Sequence, residues 1–128
     1  MGGDARLLAV VDDDDEVRVA LRRLVSSAGF AVETYASGAE FLHAVDDHEP
    51  DCVVLDLHMP GMSGSEVQGA LARAHGGVPV VILTGHDTHE ARTRALRRGA
   101  KAYLCKPVDA EALLAAIDIA IDRTATGH

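Results

Sequence analysis

The stretch "LAVVDDDDEVRVA", residues 8–20, joins a short apolar run to five consecutive acidic residues and then to an amphipathic segment. A continuous apolar run of this length is typical of a β-strand that is buried on both faces. Beyond the acids, Val17, Leu21 and Val25 recur at the spacing of one helix face. The stretch therefore predicts the first β-α unit of an α/β fold.

The same alternation continues along the rest of the chain. It predicts strands at Leu7–Val11, Ala31–Tyr35, Cys52–Leu55, Val78–Leu83 and Ala102–Leu104, and helices at Val17–Ala28, Ala39–Val45, Val67–Ala74, Thr88–Arg98 and Ala110–Ile121. Ser37 is a predicted helix cap, and Gly29 and Gly99 are predicted helix ends. Strands that alternate with helices form a parallel sheet with helices on both faces. A doubly wound α/β fold is therefore predicted.

Length and composition limit the class of protein. A chain of 128 residues, 48% of them hydrophobic, is expected to form one domain over residues 1–128, with a core at about 6–123 and short tails, the second from Thr124 onward. The formal net charge of −8, with only 12 Lys and Arg residues, argues against direct binding to nucleic acid. Proteins or small phosphorylated donors are the expected partners.

Redox and targeting features point to one compartment. The two cysteines, Cys52 and Cys105, match no disulfide framework and no metal-ligand spacing. No apolar run approaches the roughly 18 residues that a membrane span requires, and the N-terminus has no signal-peptide pattern. We expect a soluble cytoplasmic protein without a membrane partner.

Polar side chains follow four of the five predicted strands. They are Asp12 and Asp13 after the first strand, Asp56 after the third, Thr84 after the fourth and Lys106 after the fifth. Because parallel strands end at one edge of the sheet, where ligands bind, these side chains are expected to converge. The sequence therefore predicts a site of three carboxylates, a hydroxyl and an ammonium group.

The chemistry that such a set can support is narrow. Neighbouring carboxylates repel one another unless a cation offsets their charge, and hard oxygen ligands favour Mg²⁺. A carboxylate is also a nucleophile toward phosphorus, and the ammonium group would offset the charge of the incoming phosphoryl group. The predicted reaction class is Mg²⁺-dependent phosphoryl transfer to an aspartate.

The motifs "VVDDDDEVR", "PDCVVLDLHMPGMSG", "VPVVILTGHD" and "GAKAYLCKPVD" together resemble the receiver domains of two-component response regulators. The resemblance extends over essentially the whole chain. It implies a flavodoxin-like (βα)5 fold with strand order 2-1-3-4-5. It also implies that Asp56 is the phosphoacceptor and that Asp12, Asp13 and Asp56 bind Mg²⁺ together with the backbone carbonyl of His58.

Further roles are implied by the same resemblance. Thr84 and Lys106 would contact the phosphoryl group, and Tyr103 would be the aromatic switch residue that moves between exposed and buried positions. The Lys106–Pro107 bond is similar to the cis peptide that is common in the family. A histidine kinase or a phosphotransfer protein would donate the phosphoryl group, and the domain would catalyse only its own phosphorylation and dephosphorylation.

The resemblance also implies an output surface made by helix four, strand five and helix five. Two copies could pair there through opposite charges, although ordinary solvated helix faces are the alternative. The charged residues are Arg92, Arg94, Arg97 and Arg98 on helix four, and Asp109, Glu111, Asp118 and Asp122 on helix five. A homodimer is therefore a hypothesis at this stage.

Two histidines are candidate modulators of the phosphoryl lifetime. His58 lies two residues after Asp56 and His86 two residues after Thr84, positions that in receivers flank the path of attacking water. An unperturbed imidazole has a pKa of about 6.5, so each ring could change charge near neutral pH. Exposed rings that point away from the site are the alternative.

Other interpretations of the motifs remain open. A phosphatase of the haloacid-dehalogenase type also uses an aspartate and Mg²⁺, but it needs a second acid where this chain has His58. A nucleotide- or flavin-binding module would need glycines where the acids stand, and a pseudo-receiver would bind proteins without phosphorylation. Asp14, Asp15 and Glu16 fit a helix N-terminus, and the spacing of His86 and His89 is too loose to predict a transition-metal site.

Overall fold

The structure, a computed structural model, describes residues 5–126, which form five strands and five helices in strict alternation. The strands are β1 (Leu7–Val11), β2 (Ala31–Tyr35), β3 (Cys52–Leu55), β4 (Val80–Thr84) and β5 (Ala102–Cys105). The helices are α1 (Asp15–Ser27), α2 (Gly38–Val45), α3 (Gly64–Ala74), α4 (His89–Arg97) and α5 (Ala110–Thr126). All strand pairs are parallel, and the order is β2-β1-β3-β4-β5. The predicted fold class and strand order are confirmed.

Two hydrophobic clusters hold the helices against the two faces of the sheet. Side chains alternate along β1, so Leu8 and Val10 join one cluster whereas Ala9 and Val11 join the other. The first cluster includes residues of α1 and α5, and the second includes residues of α2, α3 and α4. The middle strands are therefore buried on both faces, which is why they appear in the sequence as continuous apolar runs.

Helix caps explain where several elements begin. The carboxylate of Asp14 accepts hydrogen bonds from the backbone N–H groups of Glu16 and Val17, so α1 begins at Asp15 rather than at the predicted Val17. Ser63 and Glu66 form a capping box that starts α3 three residues earlier than predicted. Polar caps therefore extend both helices beyond their apolar patterns.

Other predicted boundaries were also wrong. The strand predicted from Val78 begins at Val80, because the Val78 N–H donates to the carbonyl of His75 in a turn and Pro79 has no N–H. Helix α5, predicted to end at Ile121, runs through Thr126 and so enters the tail predicted from Thr124. Residues 1–4 of the predicted N-terminal tail and residues 127–128 of the chain lie outside the described residues.

Other backbone predictions are confirmed. Gly29 and Gly99 both have φ +100°, a left-handed conformation that suits a helix end, and the Lys106–Pro107 bond is cis. No helix within residues 5–126 combines the length and the apolarity needed to cross a bilayer.

A histidine joins α3 to the loop after α2. Nδ1 of His75 lies 2.6 Å from Oε2 of Glu49, and Nε2 lies 2.9 Å from Oδ1 of Asp46. A neutral imidazole carries only one N–H, so both contacts are hydrogen bonds only when the ring is protonated. The bonds to Asp46 and to Glu49 accordingly raise the pKa of His75 above its usual 6.5.

This bridge predicts a pH-dependent stability. Because the pKa of His75 is higher in the folded state, its stabilisation is complete below pH 6.5 and is lost as the pH rises through the raised pKa. We expect the wild type to melt above His75→Gln at pH 6 and the difference to shrink toward pH 9. Thermal melts across this range test the prediction, with the exposed His43→Gln as control. A difference that does not change with pH would contradict it.

Candidate functional site

The predicted side chains meet at the carboxyl edge of the sheet. The register pairs Val11 with Leu55, so Asp12 and Asp56, the next residues, leave their strands side by side. Both aspartates are buried, with 2% and 5% of their surface exposed. Thr84 is the fully buried last residue of the neighbouring strand β4. The convergence that the sequence predicts is confirmed.

Three carboxylates form a group that can hold a metal ion. One oxygen from each of Asp12, Asp13 and Asp56 lies within 4.8 Å of the other two. Asp13 is exposed, so the group opens to solvent on one side. Among the described residues, this is the only group of three or more His, Cys, Asp or Glu side chains with such spacing. The donor set, all carboxylate oxygens, fits Mg²⁺.

Lys106 completes the group with a positive charge. Its Nζ donates to Oδ2 of Asp12 at 2.8 Å and lies 3.7 Å from Oδ2 of Asp56. Burial lowers the pKa of Lys106, but the hydrogen bond to Asp12 and the charges of Asp56 and Asp12 outweigh it and raise the pKa overall. The lysine is therefore charged and shared between two carboxylates from different strands.

The carboxyl group of Asp56 lies in an environment that disfavours its charged form. Burial is the largest cause of its raised pKa, and the charges of Asp12 and Asp13 add to the shift. The backbone N–H of His58, which donates to Oδ1 at 3.2 Å, and the charge of Lys106 act in the opposite direction. The negative charge on Asp56 is thus only partly offset by the protein itself.

Gly64 lets α3 approach the loop that carries Asp56. A Cβ atom at this position would lie 2.2 Å from the carbonyl oxygen of Asp56 and 2.5 Å from Cα of Leu57. The N–H of Gly64 donates to the carbonyl of Leu57 at 3.0 Å. Sequence reasoning missed this role, because "MPGMSG" indicates only a turn followed by a helix cap.

Arg18 is a second residue that sequence reasoning missed. Its Nη1 donates to the backbone carbonyl of Asp12 at 2.6 Å, and its Nη2 forms an ion pair with Asp15. Only 17% of the side chain is exposed. Arg18 therefore holds the loop between β1 and α1, which carries Asp12 and Asp13 of the carboxylate group. In the sequence, an arginine one turn into an amphipathic helix indicates only a solvated face.

Two histidine rings are in contact, His58 in the loop after β3 and His86 in the loop after β4. The backbone N–H of His86 donates to Oγ1 of Thr84 at 3.1 Å. The rings of His58 and His86 are both exposed, and their centroids are 4.8 Å apart at an interplanar angle of 67°. A Cβ atom on Gly85 would lie 3.9 Å from Cδ of Lys106, an ordinary contact, so packing alone does not require glycine there.

Tyr103 lies away from the carboxylates, in the hydrophobic cluster beneath α4. It is 5% exposed, and its hydroxyl lies near Asp87 and the backbone of Thr88. Burial, followed by the charge of Asp87, raises its pKa. The guanidinium group of Arg92 stands 4.7 Å from the ring centroid, a cation–π contact. Tyr103 thus connects β5 to α4 in its buried position.

Comparison with known proteins identifies the family of the chain. The family model of the response regulator receiver domain matches residues 8–118, and the chain belongs to this family of regulatory domains. The chain is 38% identical over 112 residues to the DNA-binding transcriptional regulator NtrC of Klebsiella pneumoniae, covering 88% of this chain and 24% of that protein. It is 40% identical over 117 residues to the response regulator MprA of Mycobacterium sp. (strain KMS), covering 91% of this chain and 51% of that protein.

Solved structures show the same fold. The chain superposes on a CheY-like receiver domain from Methanospirillum hungatei JF-1 with a TM-score of 0.93 at 25% identity, covering 98% of this chain and all of that one. For the response regulator StyR the TM-score is 0.84 at 40% identity, and the superposition covers 96% of this chain and 62% of the StyR chain. The chain spans between about a quarter and about half of the length of the curated relatives that it matches.

Proposed function

We propose that this receiver domain is a phosphorylation-dependent switch in which Asp56 accepts a phosphoryl group from the phosphohistidine of a histidine kinase or phosphotransfer protein in the cytoplasm. The observation that carries the proposal is the position of Asp56 beside Asp12, Asp13 and Lys106. A nucleophilic carboxylate in such surroundings receives an anionic group only if nearby cations offset the added charge.

Different residues of the chain would hold the nucleophile and offset the charge of the phosphoryl group. Oδ1 of Asp56 is held by the N–H of His58, while Oδ2, on the side of Lys106, attacks phosphorus as the P–N bond to the donor imidazole breaks. Lys106 would move from Asp12 onto a phosphoryl oxygen. Mg²⁺, held by Asp12, Asp13, Asp56 and the carbonyl of His58, would neutralise charge on the phosphoryl group.

The switch would begin at Thr84. Its Oγ1 now accepts from the N–H of His86, and its O–H can donate to a phosphoryl oxygen on Asp56. The carbonyl of Thr84 also accepts from the N–H of Lys106 at 2.8 Å, so a shift of either residue affects β5. Beyond β5, Tyr103 and Arg92 would carry the change to α4.

An apolar cleft beside the site is where we propose that the phosphodonor docks. It has a volume of about 440 Å³ and lies between α1 and the segment after β5, with Lys106 in its wall. Its apolar lining includes Val17, Ala20, Pro107 and Val108. A helix of the donor that packs in this cleft would bring its phosphohistidine toward Asp56.

Phosphotransfer tests the proposal directly. The purified chain is mixed with a phosphorylated histidine-phosphotransfer protein or with acetyl phosphate, in each case with MgCl₂, and is followed by intact-mass spectrometry. We expect one phosphoryl group per chain, labile to hydroxylamine as an acyl phosphate is. A chain that takes up no phosphoryl group from either donor would be a pseudo-receiver.

The two histidine rings predict an effect on the lifetime of the phosphoryl group. Because His58 and His86 contact each other beside Asp56 and Thr84, they limit the approach of water to an acyl phosphate. We expect the double variant His58→Ala/His86→Ala to lose the phosphoryl group faster than the wild type, because water would reach the acyl phosphate more freely. The loss is timed by intact mass, with His89→Ala as control. Equal rates for all three proteins would leave the rings without this role.

We further propose that phosphorylation favours a homodimer through α4, β5 and α5. Arg92 stands over Tyr103 of β5, and Leu96, four residues later on the same side of α4, is 45% exposed. Leu96 gives this side of α4 an exposed apolar side chain that a second copy could cover, beside an arginine, a residue type enriched at interfaces. We expect the phosphorylated wild type to dimerise in sedimentation velocity and Leu96→Asp to stay monomeric. A monomeric phosphorylated wild type would contradict the dimer.

A further inference from the structure

The surface between α3 and α4 carries an excess of positive charge. The chain has 20 Asp and Glu residues and a net charge of −8, yet five exposed cations gather here. These residues, called the α3–α4 face below, are Arg73, Arg94, Arg97, Arg98 and Lys101. Within residues 5–126, none of them has a carboxylate oxygen within ion-pair distance. The chain has 12 Lys and Arg residues against 20 Asp and Glu residues, yet these five cations have no ion pair among the described residues.

The face is separate from the proposed dimer surface. Nη1 of Arg98 donates to the carbonyl of Ser65 at 2.9 Å, which turns this side chain toward α3. Arg94, one helical turn earlier, lies on the same side. Arg92 instead lies over Tyr103 on the β5 side. The arginines of α4 therefore divide between two surfaces.

Three neighbouring depressions share Arg98 as a wall. One runs along α4 with Arg94 and Arg97, with a volume of about 470 Å³. A second, of about 380 Å³, lies along α3 with Arg73, and a third, of about 320 Å³, reaches Lys101 at the ends of both helices. Small residues of α3 and of the segment after it, Gly69, Ala70, Ala72, Gly76 and Gly77, line the second and third. The spread of cations over three depressions suits a chain of several carboxylates better than one small anion.

The charges of the face favour an occupant that carries carboxylates. Arg94 and Arg98 are like charges four residues apart on a helix, an arrangement that destabilises the helix unless anions offset it. Two acids of the chain also line these depressions, Glu90 the first and Glu66 the second, but the Glu66 side chain is used in the capping box of α3. A nucleic acid is another polyanion, but the net charge of −8 on the chain disfavours its approach, whereas a short acidic segment needs to meet only this face.

We propose that the α3–α4 face binds an acidic segment of a partner protein, rich in Asp and Glu. A second copy of the chain does not fit as a two-fold partner, because a two-fold dimer through this face would set its positive charges against one another. Binding to the acidic surfaces of another copy would be head-to-tail and open-ended.

A peptide titration tests the proposal. The probe is a synthetic peptide of Glu and Ala residues with one Trp, whose emission reports binding alone because this chain contains no Trp. We expect Arg94→Glu/Arg97→Glu to weaken binding about tenfold, since neither side chain has a described hydrogen bond to lose. Arg6→Glu/Arg23→Glu changes the net charge equally and is expected to weaken binding less than about twofold. Arg73→Glu, on α3, provides an independent variant if the α4 variant is unstable.

Several outcomes would overturn the proposal. Equal weakening by both double variants would mean that only net charge matters. Tighter binding of a single-stranded oligonucleotide with the same charge as the peptide would assign the face to nucleic acid. Concentration-dependent association of the chain, abolished by Arg94→Glu/Arg97→Glu, would assign it to a second copy. The absence of peptide binding at low salt would remove the proposal altogether.

Discussion

Asp56→Asn is expected to abolish phosphorylation of the chain by acetyl phosphate in the presence of Mg²⁺. An amide of the same size keeps the fold and the hydrogen bond from the N–H of His58, but it has no anionic oxygen to attack phosphorus. The wild type should gain one phosphoryl group that hydroxylamine removes. Intact-mass spectrometry measures both proteins under the same conditions.

The control for this experiment is a carboxylate outside the site. Asp47→Asn, in the exposed loop after α2, removes one negative charge as Asp56→Asn does and should be phosphorylated like the wild type. Lys106→Ala should still accept phosphate but should not show the phosphorylation-dependent dimer. Labelling of Asp56→Asn at the wild-type level would mean that the acceptor is another residue.

The fold could be predicted because each physical requirement leaves a local pattern. Strands buried on both faces must be continuously apolar, as in Cys52–Leu55, and helices that cover one face must be amphipathic. Boundaries were less predictable, because they depend on polar caps. Asp14 and Ser63 begin α1 and α3 ahead of the first apolar residue of each helix.

The site could be predicted in part for a related reason. Parallel strands bring their carboxyl ends together whatever the details of packing, so Asp12, Asp56 and Lys106 had to converge. Arg18 and Gly64 act through contacts with backbone atoms of the site loops, at 2.6 Å for Arg18 and at a would-be Cβ distance of 2.2 Å for Gly64. Contacts of this kind depend on how a helix end meets a loop. The presence of an arginine or a glycine in the sequence does not predict such a contact.

Excess Mg²⁺ is expected to raise the melting temperature of the chain substantially. The carboxylates of Asp12, Asp13 and Asp56 repel one another, and the raised pKa of Asp56 shows that its charged form is disfavoured in the folded protein. A cation that binds only the folded state adds about 2.7 kcal/mol when its concentration is a hundred times its dissociation constant. For a domain of this size the shift is about 10 °C. Calorimetry with increasing MgCl₂ measures it.

Asp13→Asn separates metal binding from a general effect of salt. Asp13 is exposed and contributes one of the three carboxylates, so the variant should lose most of the Mg²⁺-dependent rise while keeping the fold. Without metal it should melt slightly above the wild type, because one of the charges that disfavour ionised Asp56 is gone. Scans in NaCl at matched ionic strength account for screening. An equal rise in NaCl and MgCl₂, or an equal Mg²⁺-dependent rise in Asp13→Asn and the wild type, would show that these carboxylates do not hold the metal.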